Sequence, residues 1–218
     1  PTKIRKKGII MNKTISLALS AALTLSLLAG CGGKQDGPSP DGSPPADSAP
    51  SSSAGSQPEQ GGAAQLGSLA SFTAGTLDGE TFTQDDIQAK DVTVINFWAL
   101  TCPPCIMELP DLAEFSKALP DHVQVITVCL DGSGNEETTA AILEEAGFDG
   151  VTLISGSGDL AALCGNLMYT PTTVLADSGG NLVGEAIIGS PRDLTGTYLA
   201  AVNAALTTGG KAEISLES

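Results

Sequence analysis

The chain has 218 residues, 41% hydrophobic, 4% aromatic and 16% charged, with a formal net charge of −15; that length allows one or two domains, and the apolar share supports a real core. From Cys31 onward 5 basic side chains stand against 25 acidic ones, a balance that repels phosphate backbones and anionic headgroups and so argues against nucleic-acid binding and a basic membrane patch. A single histidine, His122, leaves almost no material for a multi-histidine metal site or a histidine relay.

Residues 1–30 read as a targeting segment. Met11-Asn12-Lys13 opens a short basic region and is taken as the natural start, and residues 15–28 form a mostly apolar run of 14. Such a run is short for a bilayer span and suits the core of a signal peptide. It ends in Leu28-Ala29-Gly30-Cys31, which resembles a bacterial lipobox. That implies cleavage before Cys31 and a diacylglyceryl group on its sulfur, tying the chain to a lipid bilayer. An ordinary cleaved signal and an uncleaved anchor that happens to carry a cysteine are the alternatives, and both also take the rest of the chain out of the cytoplasm. Residues 31–65 read as a disordered linker. Between 32 and 65, 20 of 34 residues are Gly, Pro or Ser, too little apolar surface to offset ordering entropy. A tether of that length reaches about 30–35 Å by random-coil scaling.

Residues 66–218 are expected to form one domain. Asp78-Gly79, between 72–77 and 81–83, signals a hairpin. Residues 92–99, 123–130 and 172–176 are β-branched, apolar runs that read as buried strands, and 182–188 reads as a further strand after the turn 177–181. Helices are expected over 102–119, 136–146, 159–167 and 192–206, with Ser190-Pro191 as cap and first-turn proline of the last. Strands and helices alternate, then two strands pair before a closing helix, which predicts an α/β domain with a mixed sheet.

The chemistry lies where the first buried strand runs into Cys102-Pro103-Pro104-Cys105 at the start of a helix. Two residues between cysteines on a first helical turn bring the sulfurs within disulfide reach, and a helix N-terminus favours the thiolate that attacks disulfides. A structural zinc site also uses C-x-x-C but needs about four ligands, and the sequence has no second Cys or Cys/His pair of that spacing. Redox chemistry is therefore the better reading. Further on, Tyr169-Thr170-Pro171-Thr172 puts a proline at the head of a strand. A cis Thr170–Pro171 bond would free the preceding carbonyl and N–H for another extended chain, and a plain trans proline fits the local sequence equally well.

The run N-F-W-A-x-x-C-P-P-C-x-x-E-L-P-x-L, the later T-P-T-T-V-L-A-D-x-x-G and the leading D-G-E-T-F hairpin together resemble thioredoxin-like proteins of the TlpA/ResA type over residues 70–207. The resemblance implies a thioredoxin fold with an N-terminal β-hairpin addition. It casts Cys102 as exposed nucleophile, Cys105 as resolving thiol of a redox-active disulfide, and Thr170 with a cis Pro171 as the substrate-binding edge. Glu108 holds the place of a family glutamate near the active site. From its spacing alone, Glu108 either takes the proton of Cys105 or is an ordinary acid of the first helical turns. Beyond the redox disulfide, no cofactor or metal is expected.

Two positions depart from the family pattern. Thr101 stands where a Trp often precedes the first cysteine, and Ile106 where a basic residue often follows the second. With Pro103 and Pro104 lacking N–H groups, few donors and charges face Cys102, which tilts the expectation toward reduction. The sequence thus predicts an extracytoplasmic, lipid-anchored thiol–disulfide oxidoreductase of the cell envelope. Its partners would be exported proteins bearing cysteines or disulfides, and a membrane electron donor. The alternatives are a disulfide-forming oxidase of the same fold and a non-catalytic surface lipoprotein with a static disulfide. A peroxidase fits less well, because Thr101 adjoins Cys102 but the domain has one arginine, Arg192. Trp98 reads as packing under the active-site loop, Pro110 as a helix kink and His122 as a solvated loop residue. Cys129 and Cys164 are read as two buried thiols, with a second disulfide between them as the alternative.

Overall fold

The computed structural model describes residues 63–216; the signal segment 1–30, Cys31 and the linker as far as residue 62 lie outside the described residues. All seven residues of one strand, Val92–Trp98, are buried. This is what a β-branched, apolar run does when helices cover both faces of its sheet. In chain order the strands are β1 (Phe72–Thr76), β2 (Thr81–Thr83), β3 (Val92–Trp98), β4 (Val123–Cys129), β5 (Val151–Gly158), β6 (Thr172–Asp177) and β7 (Leu182–Ile188), and the helices are α1 (Gln84–Gln88), α2 (Pro103–Ala118), α3 (Glu136–Ala146), α4 (Asp159–Asn166) and α5 (Leu194–Thr208).

They build one mixed sheet in the order β2-β1-β5-β4-β3-β6-β7. The centre, β3 to β5, is parallel. β6 runs antiparallel to β3, and β1 antiparallel to β5 and to its hairpin partner β2. α2, α3 and α5 pack on one face around Leu109, Phe115, Leu143, Tyr198 and Val202. α1, α4 and a short 3₁₀ turn (Ala63–Leu66) close the other around Ile87, Leu160 and Phe97. The disulfide-bearing helix therefore follows β3, an inner strand flanked by β4 and β6.

Several expectations shift. The last helix starts at Leu194 and is capped by Asp193, whose carboxylate accepts from the Gly196 N–H at 2.9 Å, so Ser190 and Pro191 belong to the preceding loop. Ala63 is buried, so the final residues of the expected linker already belong to the domain. β5 is absent from the sequence reading because its end, Ile154-Ser-Gly-Ser-Gly158, looks like a loop. The small residues answer to packing: a Cβ at Gly156 would meet Leu160 Cδ2 at 2.7 Å, and Gly158 has φ +62° with Ser71 O only 2.6 Å from where its Cβ would stand. α2 continues through Pro110, which forgoes the bond to the Ile106 carbonyl.

Candidate active site

β3 ends at Trp98, whose carbonyl accepts from Leu130 N, and the loop that follows is held by Leu100 N donating to Asp131 Oδ1 at 2.9 Å. Cys102 is the extended N-cap residue of α2, with no side-chain cap bond and Pro103 and Pro104 behind it. The Cys105 and Ile106 N–H groups both donate to the Cys102 carbonyl, at 3.1 and 3.2 Å. Cys102 and Cys105 are joined in a disulfide with Cα atoms 5.3 Å apart. Cys105 is fully buried. Cys102 is half-buried rather than freely exposed, because it packs against the core beneath the loop.

The Thr170–Pro171 peptide is cis. In the β3–β6 register Phe97 stands opposite Thr172, so Pro171 comes level with Trp98 at the cysteine end of β3. The Pro171 carbonyl accepts from Gly189 N at 2.8 Å. Among the described residues the Thr170 N–H and carbonyl make no hydrogen bond. Met168, Tyr169 and Ile188, close by in sequence or register, are exposed.

Glu108 lies one turn beyond Cys105 on the buried side of α2 and is only 2% exposed. Asn96 Nδ2 donates to its Oε1 at 2.8 Å and also to Thr173 Oγ1 at 2.9 Å, and the Thr173 hydroxyl lies 2.6 Å from the Tyr198 hydroxyl. Glu108 Oε2, Asn96 Oδ1 and Trp98 Nε1 are buried without partners among the described residues. Burial pushes the Glu108 carboxyl above its ordinary value of 4.5 and Asp111 adds to this, while Ser190 and Asn96 draw it partly back. Burial likewise raises the Tyr198 phenol, helped by the Glu108 charge. Asn96, Thr173 and Tyr198 were not singled out by the sequence reading. The available signal is an Asn on a strand face whose other residues are Val92, Val94 and Trp98.

The raised carboxyl gives a pH signature. In the folded state Glu108 keeps its proton above 4.5, so its favourable contribution is complete below that pH and is lost as pH rises through the folded value. Glu108→Gln should therefore be the more stable protein at pH 8, by on the order of 1–3 kcal/mol, and lose that advantage near pH 4.5. Denaturant midpoints across this range check the sign, and a Gln variant that gains stability toward acid would contradict it.

Cys129 and Cys164 are both free, without a bond between them; Cys129 is buried as expected, but Cys164 is only half-buried. They nevertheless line one cavity of about 230 Å³. Burial pushes the Cys129 thiol up to about 12, so it is a poor nucleophile. No three His, Cys, Asp or Glu side chains cluster to hold a metal ion among the described residues. His122 is exposed in the loop before β4, and Trp98 is a fully buried core residue.

Residues 45–199 match the Redoxin family. The chain belongs to the redoxin family. The thioredoxin-like protein YneN of Bacillus subtilis is 31% identical over 110 residues, covering 50% of this chain and 63% of that relative. The thiol–disulfide oxidoreductase ResA of Halalkalibacterium halodurans is 26% identical over 122 residues, covering 55% of this chain and 67% of its own length. The chain thus spans about two thirds of the length of these redoxin relatives. The thioredoxin domain of a thiol–disulfide oxidoreductase from Bacteroides vulgatus superposes with a TM-score of 0.51 at 24% identity, over 63% of this chain and 97% of that domain, which shows the thioredoxin-like fold. The ResA-type resemblance of the motifs holds.

Proposed function

We propose that this redoxin is an extracytoplasmic, membrane-tethered thiol–disulfide oxidoreductase that reduces disulfides of exported proteins. The observation that carries the reading is the disulfide between an accessible Cys102 and a fully buried Cys105 at a helix N-terminus. In the reduced form the Cys102 thiolate attacks one sulfur of a client disulfide, and the other client sulfur leaves as a thiolate. The Cys105 thiol passes its proton to Glu108 and attacks the Cys102 sulfur. The second client thiolate departs, the Cys102–Cys105 bond re-forms, and two electrons have moved to the client. A proton acceptor works best with a pKa near the working pH, and the upward displacement of Glu108 goes in that direction. The unpaired backbone of Thr170, beside Pro171, suits an extended client segment, and exposed Met168, Tyr169 and Ile188 offer it apolar contact.

Charge placement favours the reductive direction over net disulfide formation. Lys90 donates to Asp121 O, Lys117 to Gly147 O, and Lys211 pairs with Asp91. All three sit toward the end of β3 remote from the cysteines, so among the described residues no lysine stabilises a Cys102 thiolate, and the cation nearer that end, Arg192, is exposed in the loop after β7. A less stabilised thiolate makes the dithiol a better reductant. A membrane protein would re-reduce the pair, and Cys31 would carry the lipid that keeps the two close. The domain should catalyse insulin reduction by dithiothreitol, with turnover lost in Cys102→Ala. Precipitation no faster than without protein would leave a static disulfide on a surface lipoprotein as the better account.

A further inference from the structure

β3 carries Asn96 on the face that meets α2 and α5, where its other side chains are Val92, Val94 and Trp98. Burying an amide there is unfavourable unless it is bonded. Both hydrogens of Nδ2 are committed, one to Glu108 Oε1 and one to Thr173 Oγ1, so turning the amide would break two bonds at once. Thr173 is itself fixed by the Tyr198 hydroxyl at 2.6 Å. The chain of contacts thus runs from β6, two residues after Pro171, through β3 to the α2 carboxyl. Two acceptors of this network, Glu108 Oε2 and Asn96 Oδ1, are buried without partners among the described residues. Of the two, only the carboxyl oxygen can take up a proton and so turn from acceptor into donor.

We propose that Asn96 is a positioning residue for the Glu108 carboxyl, and that the Thr173–Tyr198 hydroxyl pair holds Asn96 in that role. This rests on the reading of Glu108 as proton acceptor for Cys105. Asn96 gives its hydrogen bond to the carboxylate form and so favours ionisation at the moment Cys105 must lose its proton. The other ionisable and polar groups around the carboxyl are Asp111 on its own helix, Tyr198 on α5, Ser190 in the loop after β7, and the cysteine pair one turn earlier.

The test is single-turnover reaction of the pre-reduced protein with 5,5′-dithiobis(2-nitrobenzoate), in a Cys31→Ser, Cys164→Ser background, where the remaining thiol outside the pair, Cys129, is buried. Attack by Cys102 releases one thionitrobenzoate and resolution by Cys105 releases a second, and the rate of the second release is followed from pH 5 to 9. It should rise with pH through a midpoint set by Glu108, and Glu108→Gln should remove that rise. Asn96→Ala should move the midpoint upward by about one pH unit, and Thr173→Val, which keeps the side-chain shape, should move it the same way by less. In a Glu108→Gln background neither change should alter the second release. If Glu108→Gln removes the rise while Asn96→Ala and Thr173→Val leave the midpoint in place, the positioning role is wrong and the function of Glu108 stands. If the rise survives Glu108→Gln, both fall. Should Asn96→Ala not fold, Thr173→Val gives the same reading.

Discussion

Cys105→Ala should convert the protein from a turnover catalyst into a trap. Cys102 is the cysteine with solvent access and Cys105 has none, so a client disulfide meets Cys102 first. Without Cys105 the mixed disulfide has no internal thiol to resolve it. Catalysed insulin reduction should disappear and covalent client adducts should accumulate, visible on non-reducing gels and dissolved by dithiothreitol. Cys102→Ala should also abolish turnover but trap nothing, because the remaining thiol lies under the helix. Adducts on Cys102→Ala and none on Cys105→Ala would reverse the order of the two sulfurs. The two spare thiols among the described residues should not confuse the result: burial pushes the Cys129 thiol up to about 12 and raises that of Cys164 as well; Cys31→Ser removes the fifth cysteine.

Trp98→Ala should cost about 3–5 kcal/mol of folding stability, whereas Trp98→Phe should cost far less. The indole is fully buried at the end of β3, in the cluster that includes Cys105 and Leu109, so truncation opens a cavity directly beneath the disulfide. Phenylalanine keeps most of the ring volume. It deletes only an N–H that has no hydrogen-bond partner among the described residues, so nothing polar is orphaned by the change. Urea midpoints of the two variants decide this. Equal losses would mean that the indole N–H carries a bond of its own.

The sequence reading reached the centre of the domain and lost its margins, for physical reasons. β3, β4 and β6 are buried on both sides and so appear as continuous apolar runs, and α2 is announced by the cysteine motif and the prolines at its first turn. β5 is buried only at Thr152 and Leu153, and its glycines and serines, which make room for β1 and Leu160, resemble a turn. α1 is not legible because five residues carry too little periodicity. Its start was nonetheless written locally, as the reciprocal Thr83–Asp86 capping box. At the site the cysteines and Pro171 stood out through motif and position. The hydrogen-bonded partners of Glu108 did not, because Asn96, Thr173 and Tyr198 come from three separate elements. Only the β3–β6 pairing, which sets Asn96 directly opposite Thr173, and the packing of α5 bring them together.

The two borders of the sheet bear on how such a protein survives its own work. One border, β2, is three residues long. The other, β7, is thrown out of regular step with β6, has Gly184 at φ +73° and carries an exposed Glu185. Short, irregular and charged borders are poor templates for adding a foreign strand. A thiol–disulfide oxidoreductase that took protein clients would meet loosened, partly extended backbones, the chains most ready to append themselves to a neighbouring sheet. The borders deny them that grip, while the proposed client edge, the Thr170 backbone left unpaired among the described residues, would give a brief one and so steer contact to the reactive sulfurs and away from aggregation.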